Sequence, residues 1–276
     1  MTRSTLHVLI AALAASLVAG CHSDSPSAPP TQQQPAPLDL ATILSQMSLG
    51  RVSSVPGASS VIAAPTAIGV PSVSPAACPF SAASQGFTCP PVSFAGLTSD
   101  ISYFLYDAAG HAQSEADAAT TASVRTVVDT KGSVSLPQAS GVGGAVALSD
   151  HSDMTMSGLL TTTRTLNGNG TSHYDVSLTG ATTLHAVTDM TTATKNVVLP
   201  TQSDAKSAAW PLSGTITTDG KTATTIANVG AVTLTSHGVI TFNGTSTATI
   251  VYSTSLSTTV TTCKVDLTGK SPPVCS

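Results

Sequence analysis

The residue type that most constrains the fold of this chain is threonine. Of its 276 residues, 43 are Thr and 38 are Ser, whereas Glu occurs once, as Glu115. The β-branched side chain of Thr suits the pleated surface of a strand, while long helices draw on Glu, Lys and Leu. The composition therefore predicts an all-β protein with hydroxyl-rich faces and argues against a helical bundle.

The charge of the chain excludes one class of partner. Only 10 Lys and Arg are present, they form no run, and the formal net charge is −4. A nucleic-acid-binding domain normally shows a basic patch or stripe. We therefore expect no nucleic-acid partner. The small negative net charge does not indicate any other partner.

The first 21 residues have the make-up of an export signal. Arg3 precedes an apolar run from Leu6 to Val18, which is too short for a comfortable membrane span of ~20 residues. A basic start, an apolar centre and small residues at the exit are typical of a secretory signal peptide. The exit reads Leu-Val-Ala-Gly-Cys and ends at Cys21.

That exit resembles the lipobox of bacterial lipoproteins, in which an aliphatic residue and two small residues precede a Cys. The resemblance implies cleavage before Cys21, a diacylglyceryl thioether on its sulfur, and an acylated new N-terminus carrying chains such as palmitate. The partner of the chain would then be a membrane, reached through the lipid anchor. His22 stands where an inner-membrane lipoprotein typically has Asp, so the resemblance favours the outer membrane of a Gram-negative bacterium. The alternative is an ordinary signal peptide with a coincidental Cys.

Composition shifts divide the chain into three parts. Residues 1–20 read as a lipoprotein signal peptide, and residues 21–37 as a lipidated Cys followed by a disordered Ser/Pro/Gln tether. Residues 38–276 read as a single β-rich domain. Its first element is predicted to be a short helix from Asp39 to Gly50, because Leu40, Ile43, Leu44 and Met47 recur at helical spacing. This helix either packs on the sheet or serves as a plug, cover or partner-binding element.

The four remaining cysteines predict two disulfides. They are Cys78, Cys89, Cys263 and Cys275, an even number in a chain with an export signal. Three connectivities exist, and the spacing favours Cys78 with Cys89 and Cys263 with Cys275, because short loops cost least entropy to close. No Cys-x₂₋₄-Cys or Cys-His pair supports a zinc site, so we expect no metal and no cofactor.

Turn signals predict many short strands. Ile101–Tyr106 reads as a strand that ends in the turn Asp107–Gly110. Asn-Gly or Asp-Gly pairs at residues 167–170, 219–220 and 243–244 predict type I′ hairpins, with about ten residues per strand. The expected fold is all-β: an antiparallel meander that forms a curved sheet, a barrel-like domain or a sandwich, with one short N-terminal helix. The pattern loosely resembles uncharacterised Thr-rich bacterial lipoproteins, a group with no known activity to transfer.

Two His-x-Asp pairs are the best lead to chemistry, since no established catalytic motif is present. The pairs are His151/Asp153 and His173/Asp175, and residues i and i+2 of a strand point to one face. Each pair could present an imidazole and a carboxylate together for catalysis or metal binding. The simpler interpretation is a surface ion pair, with Arg164 opposite His173 and near Asp175 across an Asn-Gly hairpin.

Three functions remain open on the sequence. The first is a membrane-anchored envelope lipoprotein with a non-enzymatic structural, adhesive or recognition role. The second is a carrier that holds a lipid or other apolar ligand in a β-sheet cavity. The third is an envelope hydrolase, which requires Asp, His and Ser to converge in space.

Overall fold

The computed structural model describes residues 78–94, 96–139, 142–180, 183–200, 210–267 and 273–276. The predicted signal peptide, Cys21, the tether and the predicted helix Asp39–Gly50 lie outside the described residues. Within those residues the chain contains strands and no helix.

All fourteen strands belong to one sheet. The five strands of the N-terminal part are β1 (Phe80–Ser81), β2 (Gly86–Thr88), β3 (Val92–Phe94), β4 (Leu97–Tyr106) and β5 (Ala112–Gln113). The six long strands are β6 (Ser123–Ala139), β7 (Val142–Ser157), β8 (Thr163–Thr179), β9 (Leu184–Pro200), β10 (Ser213–Ile226) and β11 (Gly230–Phe242). The C-terminal strands are β12 (Thr247–Thr254), β13 (Thr261–Asp266) and β14 (Val274–Cys275).

The sheet is an antiparallel meander. From β6 to β14 each strand pairs with the next one along the chain, while β4 pairs with β6 on one side and with β2, β3 and β5 on the other. The sheet is not closed, because its order runs from β1 at one end to β14 at the other. The prediction of an all-β antiparallel meander is therefore confirmed, in the form of one open sheet.

Strand length is where the prediction was wrong. The long strands contain 13 to 17 residues instead of about ten. The Asn-Gly pairs at 167–170 lie inside β8, and Asp219-Gly220 lies inside β10. Only Asn243-Gly244 lies in a connection, between β11 and β12, and it belongs to a four-residue loop in which Gly244 has φ 78°.

A β-bulge explains the Asn-Gly pair at 167–168. The register between β8 and β9 shifts between Leu166 and Gly168. The Asn167 side chain accepts a hydrogen bond from the Asn196 backbone N–H at 2.8 Å. A Cβ on Gly168 would lie 2.3 Å from the Asp153 carbonyl oxygen, so only Gly permits this approach of the strands.

The hydrophobic core occupies one end of the long strands. Its buried side chains alternate along the strands on one side of the sheet, which we call the core face, and include Val124, Met156, Leu166, Val197, Ile216 and Ile240. On β8 the only buried residue is Leu166, and every residue from Gly170 to Thr179 is half-buried or exposed. Because a strand rises ~3.4 Å per residue, the distal part of the long hairpins extends about 30 Å past the core.

Hydroxyl groups on the core face bond to one another across strands. The buried Ser99 and Thr130 hydroxyls lie 2.9 Å apart, and those of Thr188 and Thr222 lie 3.1 Å apart. Such pairs satisfy the polar atoms while the Thr methyl groups pack. This is how a Thr-rich sequence supplies a core-facing surface.

Two disulfides close the ends of the described sheet. Cys78 is bonded to Cys89, and Cys263 to Cys275, as the spacing predicted. Cys78, Cys89 and Cys263 are buried in the core cluster, and Cys263 and Cys275 are directly opposed on β13 and β14. Each bond therefore attaches a peripheral segment to the core.

Candidate functional site

The side of the sheet opposite the core face gathers most of the ionisable side chains. We call it the Asp–His face, and it is formed on β6 to β11 by alternate residues whose charged or imidazole members are Arg125, Asp129, Lys131, His151, Asp153, His173, Asp175, His185, Asp189, Lys195, Asp219, Lys221 and His237. Thr, Ser and Ala fill most of the positions between them. Alternation along each strand places these groups together.

Each of the three long hairpins carries one directly opposed Asp–His pair. Hairpin β6–β7 pairs Asp129 with His151, and their Oδ1 and Nδ1 atoms lie 2.8 Å apart. Hairpin β8–β9 pairs His173 with Asp189 at 2.7 Å through the same atoms. Hairpin β10–β11 repeats the arrangement.

In that third hairpin Asp219 and His237 are directly opposed, with 2.7 Å between Oδ1 and Nδ1. A fourth pair is diagonal: His185 on β9 contacts Asp175 on β8 through Nε2 at 2.9 Å. These imidazoles are about half exposed, with side-chain exposures of 43% to 51%. The face is therefore accessible to solvent and to a partner.

Asp153 has a different partner. Arg125 donates two hydrogen bonds to its carboxylate, from Nε at 2.8 Å and from Nη2 at 2.6 Å. The guanidinium also lies over the Phe104 ring, 5.5 Å from its centroid. These hydrogen bonds hold the pKa of Asp153 below its ordinary value and raise the pKa of Arg125.

All four residues singled out from the sequence lie on the Asp–His face, but not as two His–Asp units. His151 contacts Asp129 and Asp153 contacts Arg125, while His173 contacts Asp189 and Asp175 contacts His185. The predicted neighbour of His173 was wrong: Arg164 is opposite Leu199, because the Asn-Gly pairs form no turn. The cross-strand contacts seen instead join His173 to Asp189, which lies directly opposite it, and Asp175 to His185.

Sequence reasoning missed the partners Asp129 and Asp219. The signal that could have found them is symmetry about a hairpin tip. Asp219 and His237 each lie nine residues from Asn228, which has φ 63° at the tip of β10–β11. Finding them requires the tip to be known first, and the Asp219-Gly220 pair suggested the wrong one.

Two rows across the face align a carboxylate, an imidazole and a hydroxyl. Ser149 is opposite His173, whose other neighbour is Asp189, and Ser253 is opposite His237, whose other neighbour is Asp219. Acyl transfer also needs N–H donors aimed at the developing oxyanion. Inside a sheet the backbone N–H groups lie in the sheet plane and bond to adjacent strands, so this face presents side chains alone.

The surface around these rows is shallow. An open depression of about 490 Å³ is bordered by His173, Asp189, Asp219 and Lys221 together with Thr and Ser. Among the described residues, no three or more His, Cys, Asp or Glu side chains are grouped as ligands of one metal ion. In the same residues, no helix has the length and apolar character needed to cross a membrane.

Comparison with known proteins adds no relative. No family model, curated protein or solved structure matches the chain. We therefore infer a function from the residues of the chain alone.

Proposed function

We propose that this chain is a lipid-anchored envelope protein with a non-enzymatic role. Its anchor is the lipid on Cys21, and the outer membrane is its location. The export signal and the lipobox-like exit support the anchor. The two disulfides support an oxidising compartment outside the cytoplasm.

The role we propose for the domain is recognition of a polar partner by the Asp–His face. The observation that carries it is the placement of four Asp–His pairs on one side of three long hairpins, with side chains that are about half exposed. The pairs hold the imidazole rings in fixed orientations across the strands. A broad array of oriented donors and acceptors suits a partner that makes many hydrogen bonds over a wide surface.

The carrier alternative has less support from the described residues. A carrier encloses an apolar ligand in an apolar cavity. The depression beside His173 and Lys221 is open and is bordered mainly by Thr, Ser, His, Asp and Lys side chains. Native mass spectrometry of the purified protein would reveal a co-purified lipid and would favour the carrier.

The recognition role is tested by binding to washed envelopes of the organism that makes the protein. We expect saturable binding of the mature chain that is lost in the double variant His173→Ala, His237→Ala. The matched control is His111→Ala, which also removes an Asp–His pair, the 3.0 Å contact with Asp107, but at the turn after β4. Equal loss in the control, or equal binding by all variants, would contradict the role of the face.

A further inference from the structure

Beyond the core, the core face of the long strands carries rows of apolar side chains. We call these rows the distal core face, and they include Val146, Leu148, Tyr174, Val176, Leu184 and Leu234. Leu148 is buried, at 8% exposed, but lies outside the core cluster, and the other five are half-buried. Among the described strands, extensive contacts join only neighbours in the sheet, so no second layer of described strands covers these side chains.

The rows are continuous across the sheet. Leu148 is opposite Tyr174, and the same row continues through Thr188 and Thr222 to Leu234. The hydroxyls of Thr188 and Thr222 lie 3.1 Å apart and bond to each other, so the row presents a largely apolar surface. A contiguous apolar surface of this kind marks a site of interaction.

We propose that this surface is covered by the predicted helix Asp39–Gly50 of the same chain, which lies outside the described residues. In that segment Leu40, Ile43, Leu44 and Met47 recur at helical spacing and form one apolar stripe. The stripe is about 10 Å long at a rise of 1.5 Å per residue. It fits within the three apolar rows of the distal core face, which span about 14 Å along the strands.

The connection between this segment and the described sheet is long enough to allow the contact. Residues 51–77 lead to Cys78, which is bonded to Cys89. The Cys89 N–H donates a hydrogen bond to the Ile101 carbonyl at 2.9 Å, and the row of Ile101 crosses β7 four residues from Leu148. The attachment point is therefore about 20 Å from the distal core face, whereas the connecting residues span up to about 90 Å when extended.

The two surfaces also agree in charge. No described side chain of the distal core face carries a formal charge, and residues 40–50 carry none. Asp150 lies one row nearer the core, where its carboxylate accepts a hydrogen bond from Ser172 Oγ at 2.5 Å. Packing the segment on this face therefore buries no unpaired charge.

A second copy of the chain fits this surface less well. The six long strands at ~4.8 Å spacing, with rows that span about 14 Å, give a flat area on the order of 400 Å². Each partner of a stable protein complex typically buries ~800 Å². A single short helix requires a smaller surface, which favours a segment of the same chain as the occupant.

Disulfide cross-linking of the mature full chain tests the contact. We expect Leu44→Cys combined with Val176→Cys to form an intrachain disulfide, which peptide mapping detects. The matched control combines Leu44→Cys with Val187→Cys, because Val187 lies on the neighbouring strand β9 but on the Asp–His face, opposite Asp175. No intrachain link at position 176, an equal yield at position 187, or a link that joins only two copies would overturn the proposal.

A second readout introduces charge into the segment instead of cysteine. Ile43→Asp with Leu44→Asp should uncover the distal core face and increase the fluorescence of a dye such as ANS, which binds exposed apolar surface. The matched control is Thr42→Asp with Ser45→Asp, which adds the same charge on the other side of the predicted helix and should leave dye binding unchanged. An equal increase in both variants, or no increase in either, would contradict the proposed cover.

Discussion

Contacts between individual side chains, most of them across adjacent strands, set the orientation of the ionisable groups. All five histidines of the described part contact an Asp carboxylate within 3.0 Å. None of these pairs is deeply buried, and exposed ion pairs contribute about 0–1 kcal/mol each. Their effect is therefore to orient the rings more than to stabilise the fold.

Asp153 should make the free energy of unfolding depend on pH in the acidic range. Its pKa is lowered in the folded chain by the hydrogen bonds from Arg125, so the pair stabilises the protein above the ordinary value of 3.8 and loses this contribution as pH falls through the lower folded pKa. Asp153→Asn should cost about 0.5–1 kcal/mol at neutral pH, a value reduced by solvent screening. The measurement is denaturant unfolding at pH 7 and pH 3. An equal difference between wild type and variant at both pH values would refute the assignment.

Gly244 should resist a branched side chain. Its φ of 78° lies in the left-handed region, so Gly244→Val should cost about 1–3 kcal/mol of unfolding free energy. The matched control is Gly238→Ala, because Gly238 has no positive φ and a Cβ there would make ordinary contact with Tyr252 at 3.8 Å. Denaturant titration compares the two, and equal stability of Gly244→Val and wild type would disprove the left-handed conformation.

Among the structural elements, the strand–turn unit around Tyr106 and the two local disulfides were predicted correctly, because the local sequence is enough to specify each of them. Ile101–Tyr106 was predicted as a strand and lies within β4, and the turn that follows is closed by the Gly110 N–H bonded to the Asp107 carbonyl at 3.1 Å. The local disulfides were also predicted correctly, because loop closure favours near neighbours.

The long strands could not be found because Asn-Gly and Asp-Gly have several uses. Gly168 serves close approach at a bulge, and Gly220 faces Ser236, whose Oγ would lie 2.7 Å from an added Cβ. Both uses depend on the neighbouring strand, which the local sequence does not specify. Thr adds to the ambiguity, since it fits the core face and the Asp–His face equally well. The partners of the candidate site were missed for the same reason, as they follow from register.

Gly168→Val should therefore destabilise the sheet through a clash and not through a strained turn. The added side chain would meet the Asp153 carbonyl oxygen at 2.3 Å and Met154 Sδ at 2.5 Å. Overpacking of this kind typically costs about 1–3 kcal/mol. Asn167→Ala, which removes only the hydrogen bond to Asn196, should cost about 1 kcal/mol. Thermal unfolding measures both, and an unaffected Gly168→Val variant would show that β7 does not approach β8 this closely at Gly168.

The disulfides should each stabilise the element that they close. Their sequence separations are 11 and 12 residues, which correspond to about 3 kcal/mol each in the chain-entropy model. Cys78→Ser with Cys89→Ser, and Cys263→Ser with Cys275→Ser, should lower the melting temperature by similar amounts. Peptide mapping of the unreduced protein supplies the check, and a peptide linking Cys78 to Cys263 or Cys275 would contradict the pairing.

In the molecule as a whole, the described sheet has two unlike faces. The core face packs at one end of the long strands, and the Asp–His face displays its pairs along the hairpins. The all-β class followed from composition, whereas the open sheet and its single polar face depend on register. We infer that the lipid holds this sheet at the membrane surface.

The proposed location and role both depend on the lipid anchor at Cys21. Detergent phase partition is the direct test of this anchor. The wild-type protein, produced in a Gram-negative host, should enter the detergent phase because thioether-linked and N-terminal acyl chains together hold a protein stably in a bilayer. Cys21→Ser should move to the aqueous phase with the described fold intact. Wild-type protein in the aqueous phase, or Cys21→Ser retained with detergent, would contradict the account.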